Sequence, residues 1–224
     1  KTVAASAGNA YTMQGGEFSF TLTPDVGNPD SDPIREAVTV SNDKDGNIVF
    51  VDGPVTYTED GEYTYTIREK SEGVPAGISI DDTEYKITVH VKDTGDGQLT
   101  AEVTMTKEGN GTDDITFENH YDPAKTSIVI SGTKTLEGKT LEDGMFTFQL
   151  TPIDGAPMSQ SGNTARNTGG TFAFGAIDYT QTGVYHYQVS EVNGGEAEYA
   201  YDTTVYDVTV TVTDENGQLK AAAE

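Results

Sequence analysis

Along the whole chain, short runs in which every second residue is apolar alternate with clusters of Gly, Asn, Asp and Pro. The runs are rich in Val, Ile, Thr, Tyr and Phe, the residues that fit a pleated, half-buried surface. Asn47-Ile-Val-Phe-Val51 follows Asp45-Gly46, and Thr171-Phe-Ala-Phe174 follows Gly169-Gly170. No window sustains a helical period. The pattern predicts an all-β protein. Seven or so strands in each stretch of about 100–120 residues predict an Ig-like β-sandwich.

The pattern also repeats. Lys1-Thr2-Val3 aligns with Lys134-Thr135-Leu136, and Phe18-Ser-Phe-Thr-Leu-Thr-Pro24 with Phe146-Thr-Phe-Gln-Leu-Thr-Pro152. Tyr63-Thr-Tyr-Thr-Ile-Arg-Glu69 aligns with Tyr185-His-Tyr-Gln-Val-Ser-Glu191, Tyr85–Val91 with Tyr206–Val212, and Gly97-Gln-Leu99 with Gly217-Gln-Leu219. Matched blocks in the same order predict two tandem domains, residues 1–122 and 126–224. The boundary, Asp122-Pro123-Ala124-Lys125, is short and contains a proline, so a stiff, end-to-end arrangement is expected.

Three strands break their own pattern. In Ile115-Thr-Phe-Glu-Asn-His-Tyr121, the face carrying Ile115, Phe117 and Tyr121 also carries Asn119. The face of Tyr63, Tyr65 and Ile67 ends on Glu69, and the face of Ile128 and Ile130 continues to Lys134 and Leu136. A buried amide without partners costs roughly 2–7 kcal/mol, and buried charges are rare unless paired. A lysine, an asparagine and a carboxyl meeting in one core can react. A neutral amine attacks the asparagine carbonyl, ammonia leaves, and an amide joins the side chains. A carboxyl kept protonated by an apolar site can polarise the carbonyl and shuttle protons.

Lys134-Thr-Leu with Gly144-Met-Phe-Thr-Phe-Gln-Leu150 and Gly183–Glu191, together with Gly61–Glu69 and Phe117-Glu-Asn-His-Tyr121, resemble the pilin isopeptide-linkage domain of the FctA or T-antigen type, a family of Gram-positive surface proteins. The resemblance covers nearly the whole chain, twice. It implies two CnaB-type Ig-like sandwiches. In the first it implies a cross-link from Lys1 to Asn119 assisted by Glu69. In the second it implies Lys134 with Glu191, the partner Asn lying beyond Glu224. Asn193 and Asn216 sit in turn-like stretches and are poor substitutes.

Composition narrows the function classes. Acidic residues outnumber basic ones 37 to 13, for a formal charge of -24, which argues against nucleic acid and anionic lipid as partners. With no Cys, disulfides and thiolate chemistry are excluded, and an extracellular domain needs another staple. No stretch approaches the roughly 18 apolar residues of a membrane helix. No signal peptide opens the sequence and no wall-sorting tail closes it, so a surface protein would be present as a processed piece.

No metal or cofactor is expected. Asp43–Asn47 and Asp25–Asp32 read as solvated turns, with Gly46 misplaced for a calcium loop. His90, His120 and His186 form no cluster, and no hydrolase triad is visible. Lys107 and Lys125 read as surface lysines rather than sortase-linkage sites.

The expected function is structural: a pilus shaft subunit or the repeat stalk of an adhesin, secreted and cell-wall-anchored, with neighbouring domains or subunits of the same fibre as partners. It is not an enzyme, since self-cross-linking happens once without turnover. The alternative is a binding module whose loops, Asp25–Pro33 or Ser159–Gly169, recognise a host protein or glycan.

Overall fold

The computed structural model describes all 224 residues. It contains strands and no helix, so none of its elements is a helix long and apolar enough to cross a membrane. The chain divides into two compact units. Unit 1 comprises Lys1–Ser6 and Ala10–Asp122, and unit 2 comprises Ala7–Asn9 and Pro123–Glu224.

Unit 1 contains β1 (Thr2–Ala5), β2 (Ser19–Pro24), β3 (Val38–Ser41), β4 (Gly61–Glu69), β5 (Ile78–Ser79), β6 (Tyr85–Asp93), β7 (Leu99–Lys107), β8 (Asn110–Gly111) and β9 (Glu118–Tyr121). One sheet has the order β3-β2-β4-β6-β7-β8, and the other β1-β9-β5. The first and last strands lie side by side and parallel, with Val3 opposite Asn119. Between the sheets, the Phe117 ring packs 5.1 Å from Phe20 and 5.0 Å from Tyr85. Alternation sets this core: Phe20 and Leu22 of β2, with Phe18 just before it, join Tyr63, Tyr65 and Ile67 of β4, all buried. The β7–β8 turn puts Glu108 and Gly109 at positive φ, the type I′ geometry that suits strand twist.

Unit 2 contains β10 (Thr126–Ile128), β11 (Ser131–Thr133), β12 (Thr147–Pro152), β13 (Thr164–Arg166), β14 (Thr171–Ala173), β15 (Ile177–Tyr179), β16 (Gly183–Val192), β17 (Val205–Asp214) and β18 (Leu219–Ala223). Its large sheet runs β13-β12-β16-β17-β18, and β10-β15 and β11-β14 form two further short ladders. The Asn216-Gly217 turn between β17 and β18 again has both residues at positive φ. Gly132 is opposite Phe172; a Cβ there would stand 2.5 Å from the ring, so glycine permits that approach.

Strand extents differ from the sequence reading in three places. Asn47–Val51 is not a strand, although Ile48 and Phe50 still pack on the core. Regular pairing in the last strand of unit 1 begins only at Glu118, yet Phe117, Asn119 and Tyr121 are buried on one face as the alternation requires. The run Ser127–Leu136 changes partner partway, from β15 to β14. Lys134 therefore lies just beyond a strand end, as Lys1 lies just before one.

Candidate functional site: two buried lysine–glutamate pairs

Glu69 closes β4 opposite Phe20, and the alternation that buries Tyr65 and Ile67 carries it inward. Its side chain is fully buried, as is that of Lys1, and Lys1 Nζ stands 2.9 Å from Glu69 Oε2. Asn119 is also fully buried. Its Nδ2 donates to Glu69 Oε1 at 2.7 Å, and its Oδ1 accepts the Asp81 N–H at 2.7 Å. One carboxylate thus holds an amine on one oxygen and a primary amide on the other. Thr2 N–H donates to the Phe117 carbonyl at 2.9 Å, which fixes the register that brings the three together.

The surroundings are apolar. Lys1 Nζ lies 4.9 Å from the centre of the Phe18 ring. Burial lowers the Lys1 amine below the ordinary lysine range, against the opposing pull of Glu69, because desolvation disfavours the charged form. This moves the group toward the neutral amine that nucleophilic attack requires.

Unit 2 repeats half of this arrangement. Glu191 lies opposite Phe148, the register of Glu69 on Phe20. Lys134 Nζ is 2.7 Å from Glu191 Oε2, with the side chains 12% and 4% exposed. Lys134 Nζ also lies over the Phe146 ring, 4.3 Å from its centre. Glu191 Oε1 is buried and receives no hydrogen bond. A cavity of about 550 Å³ opens beside the pair, lined among others by Phe148, Phe172, Asp202, Tyr206 and Val208. Neither Asn193 nor Asn216 supplies an amide. The side chain of Asn193 accepts the Gly195 N–H, and Asn216 occupies the β17–β18 turn.

The other candidates stay apart from these sites. Asp43 accepts the backbone N–H groups of Asp45 and Asn47, a self-contained turn. Asp32 is buried and held by Tyr65 Oη at 2.6 Å and Asn28 Nδ2 at 2.6 Å; burial and this bond push the Tyr65 hydroxyl strongly upward. No group of three His, Asp or Glu is placed to hold a metal ion. Lys125 pairs with exposed Asp178, and Lys107 lies 5.8 Å from the centre of the Tyr85 ring. Within Ser159–Gly169, residues Thr164–Arg166 are a strand rather than a free loop.

Two features escaped the sequence reading. Asn42 and Asn167, both buried, accept the N–H of Phe18 at 2.9 Å and Phe146 at 2.8 Å, and so seat the ring under each lysine. Asp81, in the loop before β6, touches the Asn119 carbonyl. Its counterpart by the repeat is Asp202, three residues before β17. The signal was present as Asp-x-Thr in both copies, Asp81-Asp82-Thr83 and Asp202-Thr203-Thr204, just ahead of the aligned tyrosines.

A comparison with solved structures finds the major pilin from Streptococcus pyogenes, 20% identical, with 99% of this chain and 88% of that one covered and a TM-score of 0.44. The T-13 major pilin of the same organism is 18% identical, with 99% and 91% covered and a TM-score of 0.41. No curated protein matches the sequence. The family model described as the Spy0128-like isopeptide containing domain, FctA, matches residues 1–122 and again 130–224. The chain belongs to the FctA family of isopeptide-containing domains.

Proposed function

We propose that the chain is a structural piece of a Gram-positive surface fibre, a pilus shaft subunit, built from domains 1–122 and 126–224. In this reading the first domain locks itself with a Lys1–Asn119 isopeptide bond, and neighbouring subunits of the fibre are its partners. The observation that carries it is the buried Glu69 carboxylate, with Lys1 on one oxygen and Asn119 on the other. Desolvation lowers the buried Lys1 amine toward the neutral form that attack on Asn119 requires. The proton that Lys1 sheds has Glu69 Oε2 at 2.9 Å to receive it.

The reaction joins Lys1 Nζ to Asn119 Cγ and breaks the bond from Cγ to Nδ2. Glu69 accepts the proton released by the attacking amine and delivers one to Nδ2, which leaves as ammonia. No redox partner or cofactor enters. The site is consumed by the product, so the chemistry is a single event without turnover.

The mechanical consequence follows from topology. Lys1 directly precedes β1 and Asn119 lies in β9, and this parallel pair carries the first domain's entry and exit. A covalent tie there takes tension in place of the hydrogen bonds between the two strands. Lys134 and Glu191 are the same pair in the second domain. The cavity beside them suits an extended strand that brings an Asn amide to Glu191 Oε1.

Intact-mass measurement with peptide mapping tests this reading. The expected result is loss of one ammonia and a branched Lys1–Asn119 peptide, with Glu69→Ala restoring the full mass. A full mass in the unaltered chain, with Lys1 free, would rule the cross-link out.

A further inference from the structure

A backbone N–H can only donate, so the Asp81 N–H, 2.7 Å away, requires that the Asn119 amide turn its oxygen to Asp81 and its nitrogen to Glu69. The leaving group therefore faces the proton donor, and the oxygen that gains charge when the amine adds faces a fixed dipole. That placement is what transition-state charge stabilisation requires.

The N–H is itself held. Asp81 Oδ1 accepts the Thr83 N–H at 3.0 Å and Oδ2 accepts the Glu118 N–H at 2.9 Å. The first bond closes the loop on a buried threonine; the second ties the loop to the strand that carries Asn119. Burial pushes the Asp81 carboxyl up, but bonds from Thr83 and Glu118 outweigh it and hold it below the usual range. An ionised carboxylate accepts and does not donate, so both its oxygens stay on those N–H groups. The second copy repeats the loop: Asp202 Oδ1 accepts the Thr204 N–H at 2.9 Å, and Asp202 lines the cavity of Lys134 and Glu191.

We infer that Asp81 belongs to the cross-linking machinery: its backbone N–H is the oxyanion donor for the Asn119 carbonyl, and its carboxylate positions that donor. Asp202 holds the same office in the second domain. The inference rests on the Lys1–Asn119 reading above. As Nζ adds to Cγ, the carbonyl electron pair moves onto Oδ1 against the Asp81 N–H. It returns when the bond to Nδ2 breaks and ammonia departs with the proton passed through Glu69.

The test times ammonia loss by intact mass after the full chain, held unreacted in denaturant, is diluted into native buffer across a range of pH. In the unaltered chain the rate rises with pH as the Lys1 amine loses its proton, with a midpoint below the ordinary lysine value because burial lowers that amine. Asp81→Ala should lower the plateau by about 10²-fold, the low end of a lost oxyanion donor, and move the midpoint down, because the Asp81 charge helps hold the Lys1 proton; Asp81→Asn, which keeps one acceptor, should fall between in plateau. An ester in place of the Ile80–Asp81 amide deletes the N–H and no side chain, and should match the Asp81→Ala plateau with the midpoint unmoved. Ester and alanine variants reacting at the unaltered rate would overturn the inference and leave the cross-link standing. So would a loss that only tracks the folded fraction, or an ester that shifts the midpoint and keeps the plateau. Failure of the unaltered chain to lose ammonia would instead remove the reading on which the inference rests.

Discussion

Glu69 and Glu191 occupy the same register in two copies of one domain, and each holds a lysine, yet their second oxygens differ. Glu69 Oε1 receives an amide from Asn119; Glu191 Oε1, equally buried, receives nothing. The neighbouring groups differ in the same way. In unit 1, Asp81 Oδ2 takes the Glu118 N–H and Tyr85 Oη donates to the Thr116 carbonyl at 2.7 Å, so both hold the last strand. In unit 2, the counterparts Asp202 Oδ2 and Tyr206 Oη bond to each other at 2.9 Å. Three groups that grip a strand in one copy are turned on each other or left without a partner in the second. The grip is therefore a property of the loop before β6 or β17 and of the carboxylate, and it can be described without the strand it holds.

The largest expected effect comes from making unit 1 resemble unit 2. Asn119→Ala removes the proposed Lys1–Asn119 cross-link and leaves Glu69 Oε1 without its amide. The tie spans positions 1 to 119, a separation of 118 residues, and by the chain-entropy model a loop of that length is worth about 4–5 kcal/mol. Native-state hydrogen exchange should show protection falling by that amount in β2, β4 and β6 while β12, β16 and β17 are unchanged. Equal protection before and after, in both sets, would mean that no covalent difference separates the copies.

The next test asks what the Lys134–Glu191 pair does for unit 2 by itself. Removing one member of a buried pair leaves an uncompensated charge, typically about 3–5 kcal/mol. Lys134→Met or Glu191→Leu alone should fall toward the lower figure, since the lysine keeps some solvent contact. The double change should be neutral or stabilising by about 1–4 kcal/mol, because a carboxylate with one unbonded oxygen is a poor use of a buried position. Urea unfolding of the three variants measures this. A double variant as unstable as the singles would show that the pair supports the fold, not the chemistry.

The sequence made the buried lysine, glutamate and asparagine legible for a simple reason. A lysine, a glutamate and an asparagine sat where alternation demanded apolar residues, and alternation survives even where regular pairing does not. Lys134 keeps its inward phase although β11 ends at Thr133. What alternation cannot show is a backbone donor. The N–H of Asp81 carries no residue-type signal, and its carboxylate lies in a loop, where an acidic residue is unremarkable. Asn42 and Asn167 were hidden likewise. They bond to backbone at strand edges, so their burial follows from tertiary packing. Ile48 and Phe50 show the reverse error: an alternating apolar run packs on the core without joining a sheet.

The smallest effect is also the most discriminating, because it compares one substitution at two aligned positions. Tyr85 is 2% exposed and its hydroxyl bonds to the Thr116 backbone. Tyr206 is 54% exposed and its hydroxyl bonds to Asp202. Tyr85→Phe deletes one hydrogen bond to buried structure and should cost about 1–1.5 kcal/mol. Tyr206→Phe deletes a bond that water can replace and should stay within about 0.5 kcal/mol. Occupation of the unit 2 cavity by a strand would bury Tyr206 and turn its hydroxyl to that strand's backbone, as in unit 1. The two costs should then converge. Equal costs in the chain alone would mean that Tyr206 already does the work of Tyr85, and that the open and filled copies are energetically the same site.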